Sequence, residues 1–144
     1  MKFVSLSVFA AASLFALAAS AQDPSAAAGQ EASLAAGFVP DPHTVSITAG
    51  GTNDASGLGA GCVGMVASSP DFRLQWGGGP ATIKFSASED TTLVINAPDG
   101  SWICADDVNG FDPAIAINAP GQYDVFVGSY GGGYPAGTLE VTEY

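Results

Sequence analysis

Turn-forming residues interrupt this chain so often that no long helix fits between them, and this spacing constrains the fold most. From residue 43 onward, clusters of Gly, Pro, Asn and Asp recur about every 8–12 residues, as in β-sandwiches and β-barrels. The stretches between them alternate apolar and polar residues, as in Phe72–Trp76, or are rich in β-branched residues, as in Thr91–Asn96. Both patterns are typical of strands.

These stretches predict nine strands in about 100 residues and no convincing helix. The predicted strands are 44–48, 62–67, 72–76, 81–86, 91–96, 101–104, 114–118, 122–128 and 138–142. We therefore expect an all-β fold, an antiparallel, jelly-roll-like β-sandwich of about eight or nine strands.

The N-terminus has the pattern of a bacterial secretory signal peptide. Lys2 precedes an apolar run, Phe3–Ala18, that ends at Ala19-Ser20-Ala21, an A-x-A cleavage site. A transmembrane anchor is the alternative, but the run is shorter than the roughly 20 residues that span a bilayer. We predict that residues 1–21 are cleaved and that no membrane span remains. The exported protein is expected in the periplasm or the medium, as a monomer.

Composition divides the remaining chain into a linker and a folded module. Residues 22–42 are rich in Ala, Ser, Gly and Pro and hold few bulky side chains, so we expect a flexible linker there. Val39-Pro40-Asp41-Pro42 would break a helix, because each proline biases the preceding residue towards an extended backbone. The β-sandwich domain is accordingly predicted at 43–144.

The chain is strongly acidic, with 14 Asp or Glu against 3 Lys or Arg and a formal net charge of −11 at pH 7. Removal of Lys2 with the signal peptide leaves 2 basic residues and a net charge of −12. Nucleic-acid binding is excluded, because phosphates are neutralised by Lys and Arg. Attraction to an anionic lipid surface is excluded for the same reason. The expected partner is an extracytoplasmic protein or glycan of unknown identity.

Two cysteines, Cys62 and Cys104, remain in the mature chain. An exported protein meets an oxidising compartment, so an even number of cysteines favours a disulfide. The alternative is a pair of metal thiolates, which would need histidine partners, and His43 is the only histidine. A Cys62–Cys104 bond would close a loop of about 43 residues, worth roughly 4 kcal/mol in the chain-entropy model.

Several motifs resemble a known bacterial family. Asp90 precedes the strand TTLVIN, Pro98-Asp99-Gly100 forms a turn, and Gly121–Gly128 reads GQYDVFVG. These features resemble small exported bacterial proteins and the bacterial pre-peptidase C-terminal domain, a β-sandwich appended to secreted proteases. The resemblance covers roughly residues 37–143. It implies a β-sandwich, and calcium binding in some members of the class. This chain is expected to depart from the appended form because it carries no protease domain.

The acidic turns are the strongest candidate site. The candidate calcium ligands lie around one predicted hairpin and the loop after it: Asp90, Asp99, Asp106, Asp107, Asn109 and Asp112. Calcium takes six to eight oxygen ligands from such flexible loops. The alternative is that these residues only form turns, since Asp and Asn side chains bind their own backbone. No other cofactor is expected.

Two further functions are weighed against a non-catalytic binding or structural module. Tyr130 and Tyr134 flank three glycines and are candidate ligand-binding residues for a carbohydrate or another polymer. A secreted hydrolase would need His43 beside a nucleophile such as Ser56 and a carboxylate. The sequence contains no G-x-S-x-G motif, so no catalytic residue is assigned.

Overall fold

The computed structural model describes residues 22–108 and 110–144, so the predicted signal peptide lies outside the described residues. The eleven strands are β1 (Gln30–Leu34), β2 (His43–Thr48), β3 (Asn53–Asp54), β4 (Met65–Val66), β5 (Phe72–Trp76), β6 (Ala81–Ala87), β7 (Thr91–Asn96), β8 (Trp102–Ala105), β9 (Ala114–Ile117), β10 (Gly121–Ser129) and β11 (Ala136–Thr142). One 3₁₀ turn, Ala55–Gly57, follows β3. All nine predicted strands are present, and β1 and β3 are additional.

The strands form two packed sheets, which confirms the expected β-sandwich. In the first sheet, β10 pairs on one side with β5 and then β4, and on the other side with β7. The outer strands of that sheet are β1 beside β5, β3 beside β4, and β8 beside β7. The second sheet has the order β2-β11-β6-β9. Every pair is antiparallel except β1–β5, which is parallel.

Strand β10 is central because it is apolar on both faces. Tyr123, Val125 and Val127 face the main core between the sheets. Phe126 points the other way, into a second cluster with Ala55 and Val66, against which the partly buried Trp102 and Cys104 pack. The Trp102 and Phe126 ring centroids are 5.7 Å apart. The first sheet is therefore covered on both faces around β10.

One edge of β10 has a gap between β5 and β4, and residues outside these strands fill it. The Asp71 Oδ2 atom accepts a hydrogen bond from Val127 N–H at 2.7 Å. Gly50 N–H donates to the Val127 carbonyl at 2.9 Å. Burial raises the Asp71 pKa to about 6, although the hydrogen bond from Val127 acts in the opposite direction.

The Cys62–Cys104 disulfide is present, as expected. It joins the segment before β4 to β8, an outer strand of the first sheet. Because β8 pairs only with β7, the bond gives this strand a second attachment to the domain.

The expectation of a flexible linker at 22–42 is wrong where β1 lies. The Gln30–Leu34 backbone extends the first sheet at the edge of β5. Arg73, on β5, holds the preceding residues by donating to the carbonyls of Pro24 at 2.7 Å and Ala26 at 2.9 Å. The residues of β1 have a low strand propensity, so the strand conformation depends on backbone pairing with β5.

We expect Arg73→Met to lower the free energy of unfolding by about 3–5 kcal/mol, because the Asp124 carboxylate would stay buried without its charge partner. Arg73 Nε lies 2.6 Å from Asp124 Oδ1, and the Asp124 side chain is only 5% exposed. Urea denaturation measures the change. The matched control is Glu31→Gln, which removes the exposed partner of the same arginine and should cost less than about 1 kcal/mol. Equal effects of the two substitutions would contradict this assignment.

We expect Gly128→Ala to destabilise the protein by about 1–3 kcal/mol through overpacking. A Cβ atom at this position would overlap the Thr92 hydroxyl and lie 3.1 Å from Val66 Cγ1. The control is Gly131→Ala, where no atom lies within 4 Å of the new Cβ. Thermal unfolding should show a lower Tm for the first variant and little change for the second.

Candidate functional site

The described parts of four loops meet at one end of the sandwich, which we call the loop end: residues 49–52, 88–90, 106–108 with 110–113, and 130–135. Backbone hydrogen bonds tie them in pairs. Ala49 N–H donates to Pro135 O at 2.8 Å, and Tyr130 N–H donates to Asp90 O at 3.1 Å. Thr91 N–H donates to Phe111 O at 3.5 Å. These loops connect strands of both sheets, and the hydrogen bonds between them keep the loops close together.

The loop end brings together three of the predicted ligands, Asp90, Asp106 and Asp107, which we call the carboxylate cluster. One carboxylate oxygen from each can be chosen so that all lie within 4.8 Å of one another. Asp90 directly precedes β7, and the other two directly follow β8. Because β7 and β8 are antiparallel neighbours, the start of one lies beside the end of the other.

Burial and repulsion by neighbouring carboxylates oppose ionisation of Asp90 and Asp106. Asp90 Oδ1 and Asp106 Oδ1 are buried and have no hydrogen-bond partner in the described part of the chain. Burial raises the pKa of Asp90, and the charge of Asp107 raises it further. Burial likewise raises the pKa of Asp106, with contributions from Asp107 and then Asp90. A bound cation would relieve both effects.

The chemistry of the carboxylate cluster fits a hard cation. Calcium prefers carboxylate and other oxygen ligands, whereas structural zinc sites use cysteine and histidine. The buried hydroxyl oxygens of Thr91 and Thr92, next to Asp90 in sequence, also lack hydrogen-bond partners among the described residues. Both cysteines are in the disulfide. The residues present therefore suit calcium better than zinc.

The structure does not place the other predicted ligands in the carboxylate cluster. Asp99 lies at the opposite end of β7, in the turn before β8, and its Oδ1 accepts from Ser101 Oγ at 2.6 Å and Ser101 N–H at 3.0 Å. These hydrogen bonds lower the Asp99 pKa. Asp112 Oδ1 accepts from Ala87 N–H at 3.3 Å. Asp99 therefore forms a turn, the alternative given for the acidic residues, whereas Asp112 joins the β8–β9 loop to the end of β6. Asn109 lies outside the described residues.

Tyr130 and Tyr134, the candidate ligand-binding residues, both lie at the loop end and are exposed. The two tryptophans are less exposed, because Trp102 is partly buried and Trp76 is buried. Trp76 is buried, and its Nε1 donates to Gly79 O at 3.0 Å. Sequence reasoning missed Val108 and Phe111, which are exposed in the same acidic loop. The signal that could have indicated them is the presence of two large apolar residues inside a polar loop.

The residues considered for hydrolysis do not form a catalytic group. The His43 ring stacks on Phe72, with centroids 6.2 Å apart. Within residues 22–108 and 110–144, the His43 ring has no hydrogen-bond or ion-pair partner. Ser56 follows β3 near the loop end, and its N–H donates to Asp54 Oδ1 at 2.9 Å. His43 begins β2 at the opposite end, so the length of that strand separates the two.

No protein-family model and no curated protein matches the sequence. The chain is similar to the solved pre-peptidase C-terminal domain of a collagenase from Bacillus anthracis, with 14% identity, a TM-score of 0.47, and 78% of this chain and 94% of that chain covered. It is also similar to PliG, a periplasmic lysozyme inhibitor of g-type lysozyme from Aeromonas hydrophila, with 13% identity, a TM-score of 0.39, and coverage of 78% and 96%. The first is a domain of the kind that the sequence resembles.

In the presence of a chelator, we expect Asp106→Asn to stabilise the protein near neutral pH by up to about 1 kcal/mol. The raised pKa means that the folded state holds this proton more tightly than the unfolded state. The protonated Asp106 carboxyl group therefore contributes its full stabilisation at low pH, and this contribution is lost as the pH rises through the folded-state pKa. Urea denaturation at about pH 3 and pH 7 measures the difference.

The control is Asp99→Asn, which should change the free energy of unfolding near neutral pH in the opposite direction. The pKa of Asp99 is lowered, so its ionised form stabilises the fold above the unfolded pKa. This variant should lose stability near pH 7. If both variants shift stability in the same direction, the assigned electrostatics are wrong.

Proposed function

We propose that this protein is an exported, non-catalytic β-sandwich module that binds calcium at the carboxylate cluster and uses the loop end as its binding surface. The observation that carries this proposal is the convergence of Asp90, Asp106 and Asp107 within 4.8 Å. Two of these carboxylates have a buried oxygen without a hydrogen-bond partner in the described part of the chain. Such oxygens are costly unless a ligand or ion satisfies them.

Calcium at this position would be structural and would hold two loops together. Asp90 belongs to the β6–β7 loop, while Asp106 and Asp107 begin the β8–β9 loop. A divalent cation would replace their repulsion by attraction to a shared charge, and carbonyl oxygens and waters commonly complete such sites. Magnesium demands a stricter octahedral geometry and dehydrates reluctantly, so we expect it to bind less well.

The Cys62–Cys104 disulfide supports an extracytoplasmic location, because disulfides persist in oxidising compartments. Among the described residues, no helix is long and apolar enough to cross a membrane. The N-terminal sequence pattern supports export by a cleaved signal peptide.

A carbohydrate- or polymer-binding role is the second candidate, and the exposure of both Tyr130 and Tyr134 favours it. Aromatic rings on one loop can stack on sugar rings. The buried Trp76 ring weighs against this role, because tryptophan offers the largest stacking surface and here serves the core.

We expect calcium to raise the Tm of the oxidised protein by several degrees. Calcium at 100 times its Kd would add about 2.7 kcal/mol if it binds only the folded state. Asp106→Asn should abolish most of this shift, whereas Asp99→Asn should retain it, because Asp99 lies outside the carboxylate cluster. Magnesium at the same concentration should give a smaller shift. Equal calcium shifts in both variants, or no shift in the parent protein, would refute calcium binding at this site.

A further inference from the structure

The loop end carries a set of exposed apolar side chains that we call the apolar rim: Val108, Phe111, Tyr130 and Tyr134. Their exposed fractions are 56%, 65%, 56% and 64%. Val108 and Phe111 come from the β8–β9 loop, and the tyrosines come from the β10–β11 loop. Exposed large apolar residues gathered in one region are typical of interaction sites, whereas isolated ones are ordinary.

The backbone beneath the apolar rim is fixed by hydrogen bonds. Thr91 N–H donates to Phe111 O, and Tyr130 N–H donates to Asp90 O, so two rim residues are tied to adjacent residues at the start of β7. The buried Ser129 hydroxyl donates to Gly132 O at 2.6 Å and pins the loop between the tyrosines. Gly132 and Gly133 both have φ of +84°, which favours glycine. Such a surface loses little conformational entropy on binding.

Only acidic charge accompanies the apolar rim. The same end of the sandwich carries Glu89, Asp90, Asp106, Asp107 and Asp112. The described residues contain two Lys or Arg side chains, and both have carboxylate partners on the strands. Arg73 pairs with Asp124 at 2.6 Å, and Lys84 pairs with Glu140 at 2.8 Å. Among the described residues, no free Lys or Arg side chain therefore offsets the negative charge at the loop end, and a calcium ion at the carboxylate cluster would offset only two of the five charges.

We propose that the loop end docks a cationic, apolar segment of a partner protein. Lysine or arginine side chains would meet the acidic loops, and apolar side chains of the same segment would cover Phe111 and Tyr130. Charge complementarity carries this choice, because a second copy of this acidic chain would be repelled and a neutral glycan would not use the charge. The inference deepens the proposed function by naming its partner class. It rests on the loop end as the binding surface and not on calcium.

The test uses three synthetic peptides of equal length and isothermal titration calorimetry. One alternates lysine and leucine, one lysine and serine, and one glutamate and leucine. We expect the first to bind at least about tenfold more tightly than the others, and its affinity to fall as salt screens the charges. Equal binding of the lysine–serine peptide would reduce the effect to bulk charge and overturn the proposal. Preferential, salt-independent binding of a neutral oligosaccharide such as chitohexaose would also overturn it.

Matched variants locate the binding surface. Phe111→Ser and Tyr130→Ser should each weaken the lysine–leucine peptide about five- to tenfold, and Glu89→Gln should weaken it about two- to threefold. The controls lie away from the loop end. Tyr144→Ser removes a side chain that is 97% exposed, and Asp99→Asn removes a charge from the opposite turn. Unchanged affinity in both rim variants, or equal losses in the controls, would refute this surface. Thermal unfolding checks that each variant is folded.

Titrations with calcium and with a chelator separate this inference from calcium binding. Peptide binding that needs the rim, in a protein that shows no calcium shift, supports the docking surface and refutes the metal site. A calcium shift without rim-dependent peptide binding in either condition supports the metal site and refutes the docking surface. Preferential binding to phosphatidylserine vesicles in calcium, with no peptide binding, would overturn the protein-partner proposal.

Discussion

The need to satisfy the backbone of β10 governs the arrangement of the first sheet. This strand is buried on both faces, so its N–H and C=O groups have no access to solvent and require partners along both edges. β7 supplies one edge. β5 and β4 supply parts of the other, and the Asp71 side chain and Gly50 backbone fill the gap between them. The main core and the smaller cluster around Phe126 then form on its two faces.

The same strand arrangement concentrates charge and exposed apolar surface at one end of the molecule. The start of β7 lies beside the end of β8, so the three aspartates in the adjoining turns come close together there. The disulfide fixes Cys104 on β8, two residues before Asp106. A stable sheet therefore supports loops whose own electrostatics are unfavourable. This division is common, because binding residues on loops depend on a rigid scaffold for their positions.

The sequence predicted the nine strands well, because alternation and turn residues are local signals. It missed β1, whose residues QEASL have little apolar character and become a strand only beside β5. It also grouped Asp99 with Asp90 by nearness in sequence, although the predicted strand 91–96 already places the two residues at opposite ends of that strand. The sequence indicated two of the four residues of the apolar rim, because Tyr130 and Tyr134 flank a run of glycines. Phe111 was not singled out, because its exposure depends on how the acidic loop folds back to β9.

The order of the strands along the chain also has a consequence for when the protein can fold. In the first sheet, β10 pairs with β4, β5 and β7, and in the second sheet β11 pairs with β2 and β6. Neither sheet can therefore be completed before its C-terminal strand is available. Until Gly121–Thr142 is available, the earlier strands lack their central partners, and such long-range pairing is intrinsically slow. In a chain that crosses a membrane before it folds, this pairing order would keep both sheets incomplete until β10 and β11 emerge.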